Sequence, residues 1–113
     1  MDETLNQPQF LYLTTVGWKT GKEHRIEIWF VEHNKKYYVI SELGKTAHWI
    51  RNISYNSRIT FSIDRTTFDG DARIVNPIKE GQLASEISEL MDIKYKWNQG
   101  LIVEIRPLTF SKN

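Results

Sequence analysis

Apolar and polar residues alternate between Arg25 and Glu32, with Ile26, Ile28 and Phe30 on one face and Glu27, Trp29 and Val31 on the other. A period of two is the mark of an extended strand. The same period runs through Ser57–Ile63, where Ile59, Phe61 and Ile63 share a face. Strand-forming runs also occupy Phe10–Thr15, Lys36–Ser41, Thr66–Val75 and Leu101–Arg106. His33-Asn34-Lys35 is short and polar, which predicts an antiparallel hairpin between the second and third strands. Asp64-Arg65 supplies another turn, and Gly70 predicts a bulge in the fifth strand. Two stretches carry a helical spacing instead. Thr46 is placed to cap a short helix through about Ile53, with Ala47, Ile50 and Ile53 toward the core and Trp49 and Asn52 on the neighbouring stripe. Asn76-Pro77 predicts the start of a longer helix reaching Tyr95, along which Leu83, Ala84, Ile87, Leu90 and Met91 form an apolar face.

Six strands and two helices in this order do not alternate as β-α-β units, which argues against a parallel sheet. The pattern predicts a mainly β, α+β domain: a six-stranded antiparallel barrel with one short and one longer helix. Residues 10–113 make a single domain, preceded by a polar, flexible arm over residues 1–9. Composition narrows the function classes. A net charge of +1 provides no general field for nucleic acid or acidic lipid. The absence of cysteine removes disulfide and thiolate chemistry. No apolar run is long enough to span a membrane and no signal-peptide core is present, so the expectation is a soluble, cytoplasmic protein.

The chemistry concentrates in the stretch from Thr14 to Arg25, which leads from the first strand into the second. It holds Gly17 and Gly21, threonine hydroxyls, Lys19, Lys22 and a closing Arg25. Glycine lets a backbone bend and approach a ligand, and hydroxyls, amides and fixed cations suit an anion such as phosphate. A solvated hairpin tip would have a similar composition. His24, His33 and His48 show no metal-ligand spacing, no Ser-His-Asp arrangement has local support, and Gly44-Lys45-Thr46 lacks the upstream glycine of a P-loop. Anion binding without an evident acid, base or nucleophile suits a protein whose cofactor brings the reactivity.

The run Leu13-Thr14-Thr15-Val16-Gly17-Trp18-Lys19-Thr20-Gly21 with Arg25 resembles the signature of deazaflavin (F420)-dependent nitroreductase-like proteins. These belong to the FMN- and F420-binding split β-barrels, together with the pyridoxamine phosphate oxidases. A second block, Gly44 to Ile53, resembles the family's second motif through Trp49 and Asn52, and the likeness extends from about Phe10 to Leu108. It implies a split barrel that binds F420, or alternatively FMN, and that transfers hydride to a small organic substrate. It also implies pairing of two chains through their barrels. Carried onto this sequence, the cofactor's phosphate falls to Lys19, Thr20, Lys22 and Arg25, with Lys45 and Thr46 at the start of the short helix. The ring falls against Ile28, Trp29 and Phe30, and Trp49 and Asn52 match the second motif; otherwise these two are a buried tryptophan and a turn asparagine. The family's tyrosine-rich substrate segment corresponds to Met91–Trp97, which departs from the pattern in offering only Tyr95 and Trp97 and so does not support nitroreductase activity.

Two other readings stand beside this one. A flavin carrier would keep the cofactor and lack catalysis. A single-stranded nucleic-acid barrel would stack bases on Tyr12, Trp29, Tyr37 and Tyr38 beside Lys19, Lys22, Lys35 and Lys36. Glu23, Glu27 and Glu32 in the same patch, with the near-neutral charge, oppose it, so the expectation is a small-molecule partner and neither nucleic acid nor membrane.

Overall fold

The computed structural model describes residues 9–108; apart from Gln9, the expected N-terminal arm lies outside them. Six strands, β1 (Phe10–Val16), β2 (Glu23–His33), β3 (Lys36–Ser41), β4 (Arg58–Ile63), β5 (Thr66–Ile74) and β6 (Leu101–Pro107), close into a barrel in the order β1-β2-β3-β6-β5-β4. Every pairing is antiparallel. Helix α1 (His48–Tyr55) follows a 3-10 turn over Gly44–Thr46, and helix α2 (Gly81–Tyr95) links β5 to β6. The expected mainly β fold with one short and one longer helix is the fold observed.

The alternation of β2 sorts its side chains between two cores. Ile26, Ile28 and Phe30 pack inside the barrel with Leu11, Leu13, Val39, Phe61, Val103 and Ile105. Val31 points outward, where it joins Tyr38, Ile40 and Ile102 beneath Ile87 and Met91 of α2. Two-sided burial therefore gives α2 a fixed seat on the outer wall. Inside, Phe30, Tyr37, Phe61 and Phe68 form a chain of ring contacts, with centroids 5.1–5.8 Å apart.

Local chemistry explains where the elements differ from expectation. The hairpin expected between β2 and β3 is present, but its loop is only Asn34 and Lys35, at φ 52° and 65°, because His33 still pairs with Lys36. Gly70 is not a bulge: it pairs in continuous register with Ile59 and Pro107. Its missing side chain makes room inside the barrel, since a Cβ there would lie 2.9 Å from Ile59 Cδ1 and 3.0 Å from Phe61 Cε1. Asn76-Pro77 opens a separate turn and not α2. The Asn76 side-chain oxygen accepts from the amides of Ile78 and Lys79, which spends the cap on that turn, and the helix begins at Gly81. Thr46 does not cap α1 either. Its hydroxyl donates to the Leu43 carbonyl within the 3-10 turn, and Ala47 occupies the cap position.

One buried carboxylate ties the outer wall together. Glu104, 5 % exposed, accepts from the Tyr38 hydroxyl at 2.8 Å and from Arg73 Nε at 3.0 Å. Arg73 forks onto Glu80 at 2.7 and 2.9 Å, fastening the approach to α2 onto β5 and β6. Burial disfavours a charge on Glu104, but the hydrogen bonds from Arg73 and Tyr38 outweigh it and hold its carboxyl below the usual range. The Arg73 contact takes Glu80 from its usual 4.5 to about 2.

Arg73→Ala should leave Glu104 short of its main partner and lower stability by about 2 kcal/mol. Both carboxyls titrate lower in the folded chain than in the unfolded one, so their contribution is complete above the unfolded value and is lost as pH falls through the folded one. Wild type should therefore lose stability between about pH 4.5 and 2, and the variant less steeply. Melts of both proteins across that range measure it.

Candidate cofactor site

The barrel is closed, but β2 and β3 stay paired only from Phe30↔Val39 to His33↔Lys36. Before Phe30, β2 keeps β1 on one side, from Val16↔Glu23 to Phe10↔Trp29, and no strand on the other among the described residues. The tight hairpin sets the parity of the ladder. His33 and Val31 direct their backbone groups at β3, and the same alternation aims those of Trp29, Glu27 and Arg25 at the free edge. This edge forms one wall of a cleft of about 840 Å³, lined by His24 to Trp29. The opposite wall is the chain leaving β3, Ile40 to Leu43, and α1 through Ala47, His48, Trp49 and Asn52. Its walls are largely apolar, and its size suits a drug-sized planar ligand.

A smaller cavity of about 320 Å³ adjoins it over the glycine turn. Gly17, Trp18, Lys19, Thr20 and Arg51 line it, and His24, His48 and Asn52 line both cavities. Two fixed cations, a hydroxyl and two imidazoles surround this space, with no carboxylate among the lining residues. An apolar slot opening beside a basic pocket fits a flat ring bearing a phosphate chain.

Asn52 joins the two spaces. Its side-chain nitrogen donates to the Thr15 hydroxyl at 2.9 Å, and its oxygen accepts the Trp18 amide at 3.1 Å. Thr15 is fully buried and Asn52 only 3 % exposed, so both amide ends are spent within the protein. The turn is also closed from within. Gly17 N–H donates to Lys22 O at 2.6 Å and Gly21 N–H to Gly17 O at 2.9 Å. A Cβ on Gly17 would lie 2.8 Å from Thr20 Oγ1 and 3.1 Å from both His24 Nε2 and the Lys22 carbonyl, so a larger residue there would have to displace these neighbours. Gly21 turns at φ 74°, a conformation glycine adopts without strain.

The far end of the large cleft is aromatic. Trp29 stacks on Tyr95 with ring centroids 4.6 Å apart and 2° between planes, and Trp97 meets Trp29 edge-on at 5.9 Å. Lys96, in a left-handed conformation at φ 59°, ends α2 and carries the chain back so that Trp97 reaches the cleft. Tyr95 lies behind this wall and lines neither cavity. Its hydroxyl accepts the Phe30 amide at 3.1 Å and lies 2.7 Å from the Phe30 carbonyl, also meeting the Gln9 carbonyl, so it clamps the end of the β1–β2 ladder. Burial raises its phenol to about 12, and the Phe30 hydrogen bond opposes that only in part.

The residues singled out from sequence therefore separate. Arg25, Ile28, Trp29, Trp49 and Trp97 line the large cleft, Lys19 and Thr20 the small cavity, and Asn52 both. Arg25 lies with its guanidinium 4.2 Å over the Tyr12 ring. Lys22, Phe30, Lys45, Thr46 and Tyr95 line neither cavity, and Phe30 is a core residue. Sequence reasoning missed Arg51, His24 and His48. The first was legible in principle, because it follows Trp49 by two residues and precedes Asn52, but its meaning depends on α1 lying across the turn. The strand aromatics do not share one exposed face: Tyr38 is buried against Glu104, and Tyr37 packs on Phe30 and Phe61.

Residues 1–100 match the family model of the F420H(2)-dependent quinone reductases. Among solved structures, an F420-H2-dependent reductase (FDR-A) is 25% identical, with 86% of this chain and 92% of that chain covered and a TM-score of 0.66. Another F420 reductase is 17% identical, covering 98% and 95% at a TM-score of 0.63. A candidate pyridoxamine 5'-phosphate oxidase from Listeria innocua shares the fold at 20% identity, covering 95% and 90% at a TM-score of 0.70. Among the described residues no helix is long and apolar enough to cross a membrane, and no group of three or more potential ligands could hold a metal.

Asn52→Ala should leave the Thr15 hydroxyl and the Trp18 amide without partners, at a cost of about 2 kcal/mol. Hydrogen exchange at the Trp18 amide should accelerate more than exchange in the barrel strands. Unchanged exchange there would show that the turn is held by its own hydrogen bonds.

Proposed function

The chain belongs to the F420H(2)-dependent quinone reductase family, and from that premise we propose that the joined cavities are one F420 site serving hydride transfer to a small, planar acceptor of the quinone type. The observation that carries this reading is the junction itself: an apolar slot on a free strand edge opens at His24, His48 and Asn52 into a pocket lined by cations. The residues present fit the group. Lys19, Thr20 and Arg51 would hold the phosphate by charge-assisted hydrogen bonds, and Ile26, Ile28, Ala47 and Trp49 would flank the ring. The backbone groups of Arg25, Glu27 and Trp29, facing the cleft, offer donors and acceptors to the ring's polar edge.

When bound, the deazaflavin supplies the hydride. This chain's part is to bind, orient and exclude water. Trp29, backed by Tyr95, and Trp97 close the open end of the slot, where a planar acceptor would lie against the ring. The Tyr95 hydroxyl is engaged with the Phe30 and Gln9 carbonyls and Tyr95 lines neither cavity, so it serves the wall and not proton donation. The same pair of cavities admits FMN, which the oxidase-like fold relative favours, and a titration of each cofactor separates them. Pairing of two chains and a cytoplasmic location belong to the same proposal; light scattering should report about twice 13.4 kDa. The scattered strand aromatics argue against a base-stacking surface.

Lys19→Ala and Arg51→Ala should each weaken F420 binding about tenfold, as loss of a charge-assisted contact in a half-open pocket. Lys45→Ala should change it little, because Lys45 lines neither cavity. Fluorescence titration of the three variants checks this. Equal losses in all three would indicate a diffuse charge effect, and a loss confined to Lys45→Ala would move the phosphate to the 3-10 turn.

A further inference from the structure

We propose that His24 and His48 are a titratable part of the anion site, so that cofactor affinity is coupled to protonation of these two imidazoles. The inference rests on the assignment of the small cavity to the cofactor's phosphate and adds the residues that tune it.

His24 comes from the start of β2 and His48 is the first residue of α1, yet both line both cavities. They stand where a ring in the slot would pass its chain into the basic pocket. Neither has a hydrogen bond or ion pair to a protein group among the described residues, whereas His33 lies 3.2 Å from Glu86. His24 Nε2 lies over the glycine turn, 3.1 Å from the point a Gly17 Cβ would occupy. The bare Gly17 thus leaves room for the imidazole as well as for the turn.

The surrounding charges give the sign. The other charged groups of the small cavity are Lys19 from the turn and Arg51 from α1, both fixed cations. Opposite His24 in the strand register stands the neutral Thr15. Arg25 and Glu27 from β2 and Glu42 after β3 line the large cleft only, and Lys22 and Glu23 line neither cavity. A proton on either imidazole therefore adds positive charge to the small cavity, whose lining holds no carboxylate, while Glu27 and Glu42 stand only along the large cleft. An anion there favours the protonated form, and by linkage protonation favours the anion. Imidazole is the side chain whose ordinary titration, about pH 6.5, falls within the physiological range. Lys19 and Arg51 keep a basal affinity at higher pH, on which the histidines superimpose a gain as pH falls.

The test is a fluorescence titration of F420 at about pH 5.5 and about pH 8, on either side of imidazole ionisation, with wild type, His24→Gln, His48→Gln and the double variant. Wild type should bind about tenfold tighter at the lower pH, each exposed imidazole contributing as surface ion pairs do. Each single variant should keep part of that ratio and the double variant almost none; titration of the ligand itself cancels in the comparison. In parallel, NMR of the imidazole signals should show both histidines titrating at higher pH when F420, or inorganic pyrophosphate, is added. A double variant with the wild-type ratio, or imidazoles that do not respond to bound ligand, overturns this inference and leaves the cofactor assignment intact. Failure of F420 to bind wild type at either pH overturns the cofactor assignment and this inference with it.

Discussion

The side-chain amide of Asn52 joins segments that the chain keeps 34 and 37 residues apart, and the site depends on that junction. One end accepts from the backbone amide of Trp18 in a partly buried position, and the other donates to the buried hydroxyl of Thr15. An amide can do this because it carries donor and acceptor on one rigid plane. A carboxylate could accept from both groups but would bring a charge into a buried position, and an aliphatic side chain would leave the Trp18 amide unsatisfied. Through this contact α1 lies across the glycine turn, and Arg51 and His48 meet Lys19 and His24 around one pocket. Without it, the cations would belong to two unrelated surfaces.

The barrel supplies the other half of the arrangement through an imperfection in its closure. β3 leaves β2 at Val39, continuing through Ile40 and Ser41 beside β6, so the first half of β2 presents an edge. An exposed edge is ordinarily a liability, and here α1, Trp49 and Trp97 partly cover it. The aromatic end of the cleft is held from outside by α2, whose Ile87 and Met91 are fully buried on the outer wall, and by Tyr95 at the end of the ladder. The Arg73–Glu80–Glu104 network keeps the entry to that helix in place. Charges therefore do structural work on one side of the barrel and face an open cavity on the other.

Most of the fold was legible because its signals are local. Alternation in β2 and β4, the Asn34-Lys35 turn and the apolar face of α2 each follow from a few neighbouring residues. The errors arose where a local signal had two uses. Asn76 caps a turn and not the helix, Thr46 binds the carbonyl three residues back, and Gly70 yields space to Phe61 without a bulge. The site was legible only in part. Composition and resemblance pointed to the glycine turn with Lys19 and Thr20, and resemblance alone to Trp49 and Asn52, and these residues line the two cavities. The pairing of Arg51 with that turn, the place of Arg25 over Tyr12 and the meeting of two histidines all depend on tertiary contacts with no period in the sequence.

A crystal structure of the chain with F420 bound tests the central claim most directly. The account predicts the ring between the free edge of β2 and the Ile40–Leu43 segment, the phosphate against Lys19, Thr20 and Arg51, and the Asn52 contacts to Thr15 and Trp18 unbroken. A phosphate seated on Lys45 and Thr46, or a ring on the outer wall beside α2, would contradict it.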